Sequence, residues 1–312
     1  MELSITPRLL IAAAEKRGWK TRIIDSKIGL IYLELPDGRH YYLRGISSIL
    51  TSAVNVYIGD QKHILSALVQ ELGIVVPPSI RCHEFCADVV GFLEQYGTVV
   101  VKPINASHGN GVSVGITTPA QLKSAIQYAH QFSKSILIQQ HITGDDYRVL
   151  LMGGELAAAA IREPAFVVGD GKHTIAELIQ LENNGPNRGE GYGSIATQID
   201  VEAAQRYVGQ EKLQNIPAPG QKTRVVGTAN IGKGGVAIDV TDTIAPGMVA
   251  TARRIVEHFG IKLCGVDFIV DSNGTPYLIE INSAPSLGLH EYPYEGKPRH
   301  TADRFLDVLT AK

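Results

Sequence analysis

The sequence predicts a mixed α+β protein of antiparallel sheets and helices, and two strand patterns carry the prediction. Apolar and polar residues alternate over 265–271 and again over 276–282, with a Ser-Asn-Gly turn between the two runs. An apolar strand at 99–103 is followed by a glycine-containing loop and a second strand near 112–116. Both patterns are typical of antiparallel hairpins. Helices are predicted elsewhere in the chain, at 64–73, 178–182, 251–258 and 301–309.

The composition narrows the class of protein. A chain of 312 residues can form two or three subdomains with a substantial core. A formal net charge of −2 gives no case for nucleic acid or an anionic membrane surface as a partner. Three cysteines are too few, and odd in number, for a disulfide framework, which favours a reducing compartment. No stretch reaches the roughly 18 apolar residues of a membrane span. We therefore expect a cytoplasmic protein.

Residues 1–75 are predicted to form a small α/β subdomain. Thr6 is the expected N-cap of the first helix because Pro7 suits the first helical position. A strand at 21–25 and a hairpin over 28–43 come next. Nothing in this segment points to a specific chemistry before Lys62.

Two lysines are placed to meet an anion. Asp60 is the expected N-cap of a helix over 64–73, so Lys62 lies in its first turn, where it could reach a phosphate or remain solvated. Lys102 ends a buried strand, and Pro103 stops the strand there. The next loop, with Gly109 and Gly111, suits a phosphate lid, although an ordinary flexible hairpin fits equally well. This loop leads into a strand and not into a helix, which excludes a Rossmann fingerprint.

The segment after the apolar strand at 135–140 suits an adenosine. An exposed linker at 141–143 offers backbone groups to a base edge, and the pair Asp145-Asp146 offers a carboxylate to ribose hydroxyls. The same acidic pair is equally consistent with a turn. A later segment, 164–222, is rich in Gly, Asn, Pro and Gln, which argues against one packed element there.

The hairpin at 265–282 carries the strongest chemical signal. Glu280 and Asn282 share one face of their strand because side chains repeat with period two, and Asp267 can join them from the partner strand. Carboxylate and amide oxygens on such apolar strands suit a hard divalent cation such as Mg²⁺. A surface hairpin with a hydrated polar face is the alternative.

The ordered set of these motifs resembles the ATP-grasp superfamily. Segments 162–179, 183–191 and 230–242 are similar to the ATP-grasp modules of cyanophycin synthetase and bifunctional glutathione synthetase. The resemblance covers about residues 55–310. It implies an α+β ATP-grasp fold in which a lid subdomain at 76–142 and a catalytic subdomain at 143–312 clasp ATP, next to the N-terminal α/β subdomain.

The resemblance also implies roles for individual residues. The implied nucleotide contacts are Lys62, Lys102, His108, Gly109, Gly111, Gln139, Gln140, Ile142 and Asp146. The implied ligands of two Mg²⁺ ions, or of Mn²⁺, are Asp267, Glu280 and Asn282. The implied catalytic residues are Arg148, Arg162 and Lys102. The implied substrate contacts are Arg188, Asn230, Lys233 and Ser286.

The implied activity is ATP-dependent ligation of a small carboxylate to an amine through an acyl phosphate. The substrates would be amino acids or short peptides, and relatives of this type are often homo-oligomers. A kinase that stops at a phosphorylated product and a non-catalytic nucleotide-binding regulator are the alternatives. The sequence departs from its relatives toward the substrate side, at Val226, Lys233 and Tyr192, and at Gln139 near the adenine. We therefore expect retained ATP and metal chemistry with a shifted substrate pair.

Overall fold

The N-terminal unit joins one helix to a three-stranded antiparallel sheet. The computed structural model describes residues 3–105, 110–186, 188–189 and 196–311. The unit consists of α1 (Ile5–Lys16), β1 (Lys20–Asp25), β2 (Leu30–Glu34) and β3 (His40–Arg44). Ser4, and not the expected Thr6, occupies the N-cap position of α1. Thr6 instead lies in the first turn, where its hydroxyl oxygen accepts a hydrogen bond from the Leu287 N–H at 3.1 Å.

Two short helices connect this unit to the rest of the chain, α2 (Ala53–Asp60) and α3 (Lys62–Glu71). The expectation of Asp60 as N-cap is wrong, because α2 runs through Asp60 and Gln61 takes the cap position of α3. Lys62 is thus the first residue of α3, in the first turn as predicted. At Gly59, an added Cβ would lie 3.2 Å from the carbonyl oxygen of Ile281. This close approach places the end of α2, just before α3, against the backbone at Ile281.

A four-stranded antiparallel sheet, here called the lid sheet, has the order β4-β7-β5-β6. Its elements are β4 (Ser79–Cys82), α4 (Ala87–Tyr96), β5 (Val99–Pro103), β6 (Ser113–Ile116), α5 (Pro119–His130) and β7 (Ile136–Gln140). The helix α5 begins with a complete capping box between Thr118 and Gln121. Apolar residues of both helices and all four strands form one core under the sheet.

The loop between β5 and β6 was expected to carry a glycine flap. His108 and Gly109 lie outside the described residues. Gly111 is described and has φ +71°, and an added Cβ would lie 2.7 Å from both Pro103 and Phe132. A residue other than glycine would be strained there, because its Cβ would collide and its backbone would be left-handed.

The largest sheet, here called the central sheet, is antiparallel with the order β14-β9-β8-β15-β16. The first two of these strands along the chain are β8 (Gly144–Met152) and β9 (Glu155–Glu163). An insertion of short elements comes next, made of β10 (Phe166–Val168), α6 (Ile175–Asn183), β11 (Arg188–Gly189), β12 (Ala196–Thr197), α7 (Val201–Val208) and β13 (Lys222–Arg224). As predicted, the insertion is not one packed element but a series of short ones. These short elements nevertheless share a hydrophobic core that includes Val167, Ile179 and Val225.

The central sheet is completed by β14 (Val236–Asp239), α8 (Pro246–Phe259), β15 (Leu263–Asp271) and β16 (Pro276–Asn282). β15 and β16 form the predicted hairpin. The predicted alternation on β16 is wrong in part, because a bulge pairs Asp267 with Glu280 but Phe268 with Leu278. As a result Leu278 and Ile281 are the buried residues of the strand, and Ile279 is not.

The chain ends in α9 (Gly288–Glu291) and α10 (Thr301–Thr310). α10 packs on α1, and Phe305 shares one core with Leu10, Ile31 and Leu150. The N-terminal unit therefore does not have a core separate from the central sheet. The predicted subdomain boundaries at 75 and 142 stay predictions. Within the described ranges, none of the helices combines the length and the apolar character that crossing a membrane requires.

Candidate active site

Charged side chains from four neighbouring strands meet on one face of the central sheet. Asp267 on β15 lies opposite Arg148 on β8 and opposite Glu280 on β16. Asp146, two residues before Arg148 on the same strand, lies opposite Arg162 on β9. Residues directly opposite each other in antiparallel strands share a face, so the pairing itself gathers these groups.

Asp267 is the centre of this cluster and is 1% exposed. Arg148 donates to both carboxylate oxygens, from Nε to Oδ1 and from Nη2 to Oδ2 at 2.8 Å. Arg162 Nη2 lies 2.9 Å from Oδ2. Burial alone would raise the pKa of Asp267, but Arg148 and Arg162 outweigh burial and hold that pKa below its usual range. The carboxylate is therefore ionised and paired twice.

Arg162 also holds Asp146. Its Nε and Nη2 donate to Asp146 Oδ1 at 3.0 and 2.5 Å. Burial raises the pKa of Asp146, and the charge of Asp267 adds to that effect, while Arg162 opposes it. For Arg162, burial would lower the pKa, but Asp267 and Asp146 raise it on balance. The guanidinium thus bridges two carboxylates and is always charged.

Glu280, Asn282 and Asp267 converge as the sequence predicts. Asn282 Nδ2 lies 3.3 Å from both Asp267 Oδ2 and Glu280 Oε1. Lys62 Nζ lies 3.7 Å from Glu280 Oε2. Two carboxylates, each within hydrogen-bond distance of the Asn282 amide, offer the hard oxygen donors that Mg²⁺ and Mn²⁺ prefer, so these three residues fit a divalent cation.

Lys102 brings the lid sheet to the same cluster. It is 5% exposed, and its Nζ donates to Gln139 Oε1 at 2.8 Å. Burial and the nearby charge of Lys62 lower the pKa of Lys102 to about 8, although Glu280 works in the opposite direction. Because burial and Lys62 both disfavour the charged form of Lys102, an anion bound next to its ammonium group would stabilise that form. Gln139, expected near the adenine amino group, has its amide oxygen occupied by Lys102.

The linker between β7 and β8 contains the residues expected to contact adenine. The Gln140 N–H donates to the Pro78 carbonyl at 2.9 Å. Pro78 lacks an N–H, so it cannot donate a hydrogen bond to the carbonyl of Gln140 in exchange. Ile142 is buried at the end of the linker. The predicted contacts of Gln140 and Ile142 with adenine stay predictions.

Residues expected on the substrate side have other described contacts. Arg188 Nη1 donates to the carbonyls of Thr197 and Gly234 at 2.9 and 3.0 Å, and its Nε lies 3.1 Å from Glu182. Its side chain is 6% exposed. These contacts tie the insertion to the loop before β14, and the substrate role of Arg188 stays a prediction.

The other expected substrate contacts also stay predictions. Asn230 accepts from the Gly232 N–H at 2.8 Å and caps a 3₁₀ turn over Ile231–Lys233, which ends at Lys233. Ser286 is half-buried between the central sheet and α9. Of the departures from the relatives, Val226 lies in the core of the insertion. Tyr192 lies outside the described residues.

His290 and the Arg299 network were not predicted from the sequence. His290 on α9 is buried, and burial, followed by the charge of Arg148, lowers the pKa of its imidazole to about 3. Its Nε2 has no hydrogen-bond partner within the described ranges. Arg299 binds both Asp239 and Asp242 and so holds the chain after α9 against β14. The one sequence feature that could have indicated a buried His290 is its position directly after Leu-Gly-Leu at 287–289.

The comparisons with known proteins agree with this geometry. The profile of the ATP-grasp domain of prokaryotic glutathione synthetase matches residues 68–170, and that of the tubulin-tyrosine ligase family matches residues 247–296. The structure of a bifunctional glutathione synthetase from Pasteurella multocida superimposes with a TM-score of 0.71 at 26% identity, over 98% of this chain and 43% of that one. The chain is a member of the ATP-grasp superfamily.

Two curated proteins show how far this ATP-grasp chain extends along its relatives. Cyanophycin synthetase from Trichormus variabilis is 30% identical over 96% of this chain and 34% of its own length. The bifunctional glutathione biosynthesis protein of Mannheimia succiniciproducens is 29% identical over 99% of this chain and 42% of its own length. The chain therefore spans about a third to two fifths of these relatives.

Proposed function

We propose that this ATP-grasp protein is an ATP-dependent ligase that joins a small-molecule carboxylate to an amine and releases ADP and phosphate. The observation that carries the proposal is the buried network around Asp267, which two arginines hold on the face that Lys62 and Lys102 also reach. Its relatives, named as cyanophycin synthetase and a glutathione biosynthesis protein, support amino acids or short peptides as substrates.

The charges of the site suit a triphosphate bound with metal. Four cationic side chains face three carboxylates, which leaves a formal charge of +1 on Lys62, Lys102, Arg148, Arg162, Asp146, Asp267 and Glu280. A triphosphate carries more negative charge than this excess can balance. In the proposal Asp267, Glu280 and Asn282 hold two divalent cations, which neutralise the remaining phosphate charge.

Nucleotide binding is proposed to span the two sheets. Lys62 and Lys102 would contact phosphate oxygens, and the backbones of Gln140 and Ile142 would meet the adenine edge. Asp146 is proposed at the ribose by resemblance, but its hydrogen bonds to Arg162 support a role nearer the phosphates. The loop at 108–111 would close over the phosphates and exclude water.

The reaction is proposed to proceed in two displacements. A carboxylate oxygen of the first substrate attacks the γ-phosphorus of ATP, and the bond to the β,γ-bridging oxygen breaks to release ADP. The amine of the second substrate then attacks the acyl carbon, phosphate leaves, and the amine loses a proton. Arg148, Arg162 and Lys102 hold the reacting anions in place and stabilise the charge that develops on them.

The test is ADP release by the full chain with ATP and Mg²⁺, with amino acids and short acidic peptides offered singly and in pairs. Release that needs two partners, with a product one water lighter than their sum by mass spectrometry, would establish the ligase. A stable phosphorylated product from one partner would support a kinase instead. Tight ATP binding with silence across the panel would favour a nucleotide-binding regulator.

A further inference from the structure

The carboxylates proposed to bind metal are already neutralised by cations of the chain. Both oxygens of Asp267 accept hydrogen bonds from Arg148, and Arg162 Nη2 lies 2.9 Å from Oδ2. Lys62 lies 3.7 Å from Glu280. In the described part of the chain, a free divalent cation entering this site meets carboxylates that are each paired with a cationic side chain.

We propose that Arg148 and Arg162 act as exchangeable counter-ions that keep free divalent cations out of the site, so that metal binds there only together with nucleotide phosphates. This inference rests on the proposed function, because it assumes that the site takes a metal and a nucleotide. It adds an order of events: the phosphates draw the arginines away from Asp267, and Asp267 then becomes a metal ligand.

Electrostatics in the buried site favours this coupling. A free cation must displace at least one guanidinium from Asp267, and the displaced group stays close to the new charge on the same sheet face. Charges that are buried this deeply are screened little by water or salt, so the two positive groups repel each other strongly. A phosphate removes this conflict because its oxygens can accept two parallel hydrogen bonds from one guanidinium.

The hydrogen bonds of Arg162 show how the exchange can occur without loss of position. Arg162 donates to Asp146 through Nε and Nη2, at 3.0 and 2.5 Å, and Nη2 also reaches Asp267. The guanidinium can therefore release Asp267 while Asp146 keeps it in place. Asp146 is thus a positioning residue, which explains why a third carboxylate lies in a site whose metal ligands are on other strands.

The experiment measures Mn²⁺ binding to the full chain by the loss of the free Mn²⁺ signal in electron paramagnetic resonance, with and without saturating ADP. For the unmodified protein we expect at least about tenfold tighter Mn²⁺ binding with ADP present. In Arg162→Met, Mn²⁺ alone should bind about tenfold more tightly than to the unmodified protein, because one repelling charge is gone. Arg162→Lys should restore most of the exclusion.

Two further variants keep the result interpretable. Arg253→Met removes a surface ion pair with Glu155 and should leave Mn²⁺ binding unchanged. Arg148→Met repeats the test at the other arginine if Arg162→Met fails to fold, as judged by thermal unfolding. A folded arginine variant with unchanged affinity for Mn²⁺ alone overturns the inference, as does an unmodified protein that binds ADP and yet binds Mn²⁺ equally well without it.

Failure of the proposed function has a different signature. If ADP does not bind in the presence of Mn²⁺, the nucleotide proposal is wrong, whatever the arginine variants do to Mn²⁺ alone. A gain in Mn²⁺ affinity in Arg162→Met would then still show that the arginines exclude free metal from Asp267. If ADP and Mn²⁺ bind together normally and the variants gain nothing, the inference alone is wrong.

Discussion

Lys102 and Gln139 form a buried hydrogen bond between neighbouring strands of the lid sheet, with Nζ 2.8 Å from Oε1. Burial lowers the pKa of Lys102 to about 8, so the lysine is charged in both the folded and the unfolded chain at about pH 7. The folded chain alone bears the cost of desolvating that charge. We expect Lys102→Met to raise the free energy of unfolding, measured with urea, by about 1–3 kcal/mol.

The same substitution should weaken ADP binding at least tenfold, because the phosphates lose a cationic partner. A gain in the free energy of unfolding together with a loss of ADP affinity is expected if Lys102 serves binding, whereas a structural lysine would lose stability when replaced. Lys20→Met, which removes an exposed partner of Glu34, is the matched control and should change neither quantity. A clear loss of stability in Lys102→Met would contradict the assignment.

Lys102 also sets a pH dependence for nucleotide binding. Its pKa is below the ordinary value in the free protein, and bound phosphates should raise it again because they stabilise the ammonium group. ADP binding should therefore take up protons near pH 8, and its affinity should fall as the pH rises above the lowered pKa. Calorimetry in buffers of different ionisation enthalpy measures the proton uptake. Lys102→Arg, which stays protonated, should abolish it.

Asp267 and Asp146 have pKa values shifted in opposite directions, and loss of their charges should destabilise the fold to different extents. The pKa of Asp267 is held below its usual value of 3.8, so its ionised form stabilises the fold above that pH, and this contribution is lost as the pH falls through the lowered pKa. Asp267→Asn leaves Arg148 without its buried counter-ion and removes one of the two carboxylates that pair with Arg162. We expect this substitution to lower the free energy of unfolding by about 3–5 kcal/mol.

Asp146 has a raised pKa, so its ionised form is unfavourable in the fold, and stability present at low pH is lost as the pH rises. Arg162 also keeps Asp267 as a partner when Asp146 is neutral. Asp146→Asn should therefore cost much less than Asp267→Asn in chemical denaturation at about pH 7. Equal losses from the two substitutions would contradict these pairings.

Glu280 is the most direct test of the metal assignment. Its carboxylate is partly exposed, and its described contacts are the ion pair with Lys62 and the hydrogen bond from Asn282, so its removal leaves the core intact. Glu280→Ala should abolish ADP release while the thermal unfolding curve stays close to that of the unmodified protein. Glu257→Ala on the exposed side of α8 serves as the control. Normal turnover by a well-folded Glu280→Ala protein would refute the assignment.

The residues that could be predicted from sequence are those fixed by local periodicity. Glu280 and Asn282 share a face because they are two positions apart, and Lys62 lies in the first turn of a helix as its surroundings indicated. The bulge at Ile279 was not predictable, because an extra residue in one strand depends on its pairing with the other.

Contacts between distant segments were also beyond the sequence. The bond from Arg162 to Asp267 requires β9, β8 and β15 to be adjacent in that order, and no local pattern specifies strand order. The same holds for Lys102 and Gln139, which are 37 residues apart. The resemblance placed these residues in one site, but it did not show that they neutralise each other when no nucleotide is bound.

Arg188 offers a choice between two roles that stability can decide. Its buried guanidinium donates to the carbonyls of Thr197 and Gly234, which would be left without this partner in Arg188→Met. Because buried carbonyls without partners are costly, we expect a loss of about 2 kcal/mol in the free energy of unfolding. KM for the carboxylate substrate should then change little in protein that remains folded.

The matched control is Arg206→Met, which removes an exposed pair with Glu202 on α7 and should leave both stability and KM unchanged. A large rise in KM for the carboxylate substrate without loss of stability would instead show that Arg188 leaves its described partners to bind substrate. That result would place the acceptor side of the site at the junction of the insertion and the loop before β14. The role implied by resemblance would then replace the one that the hydrogen bonds support.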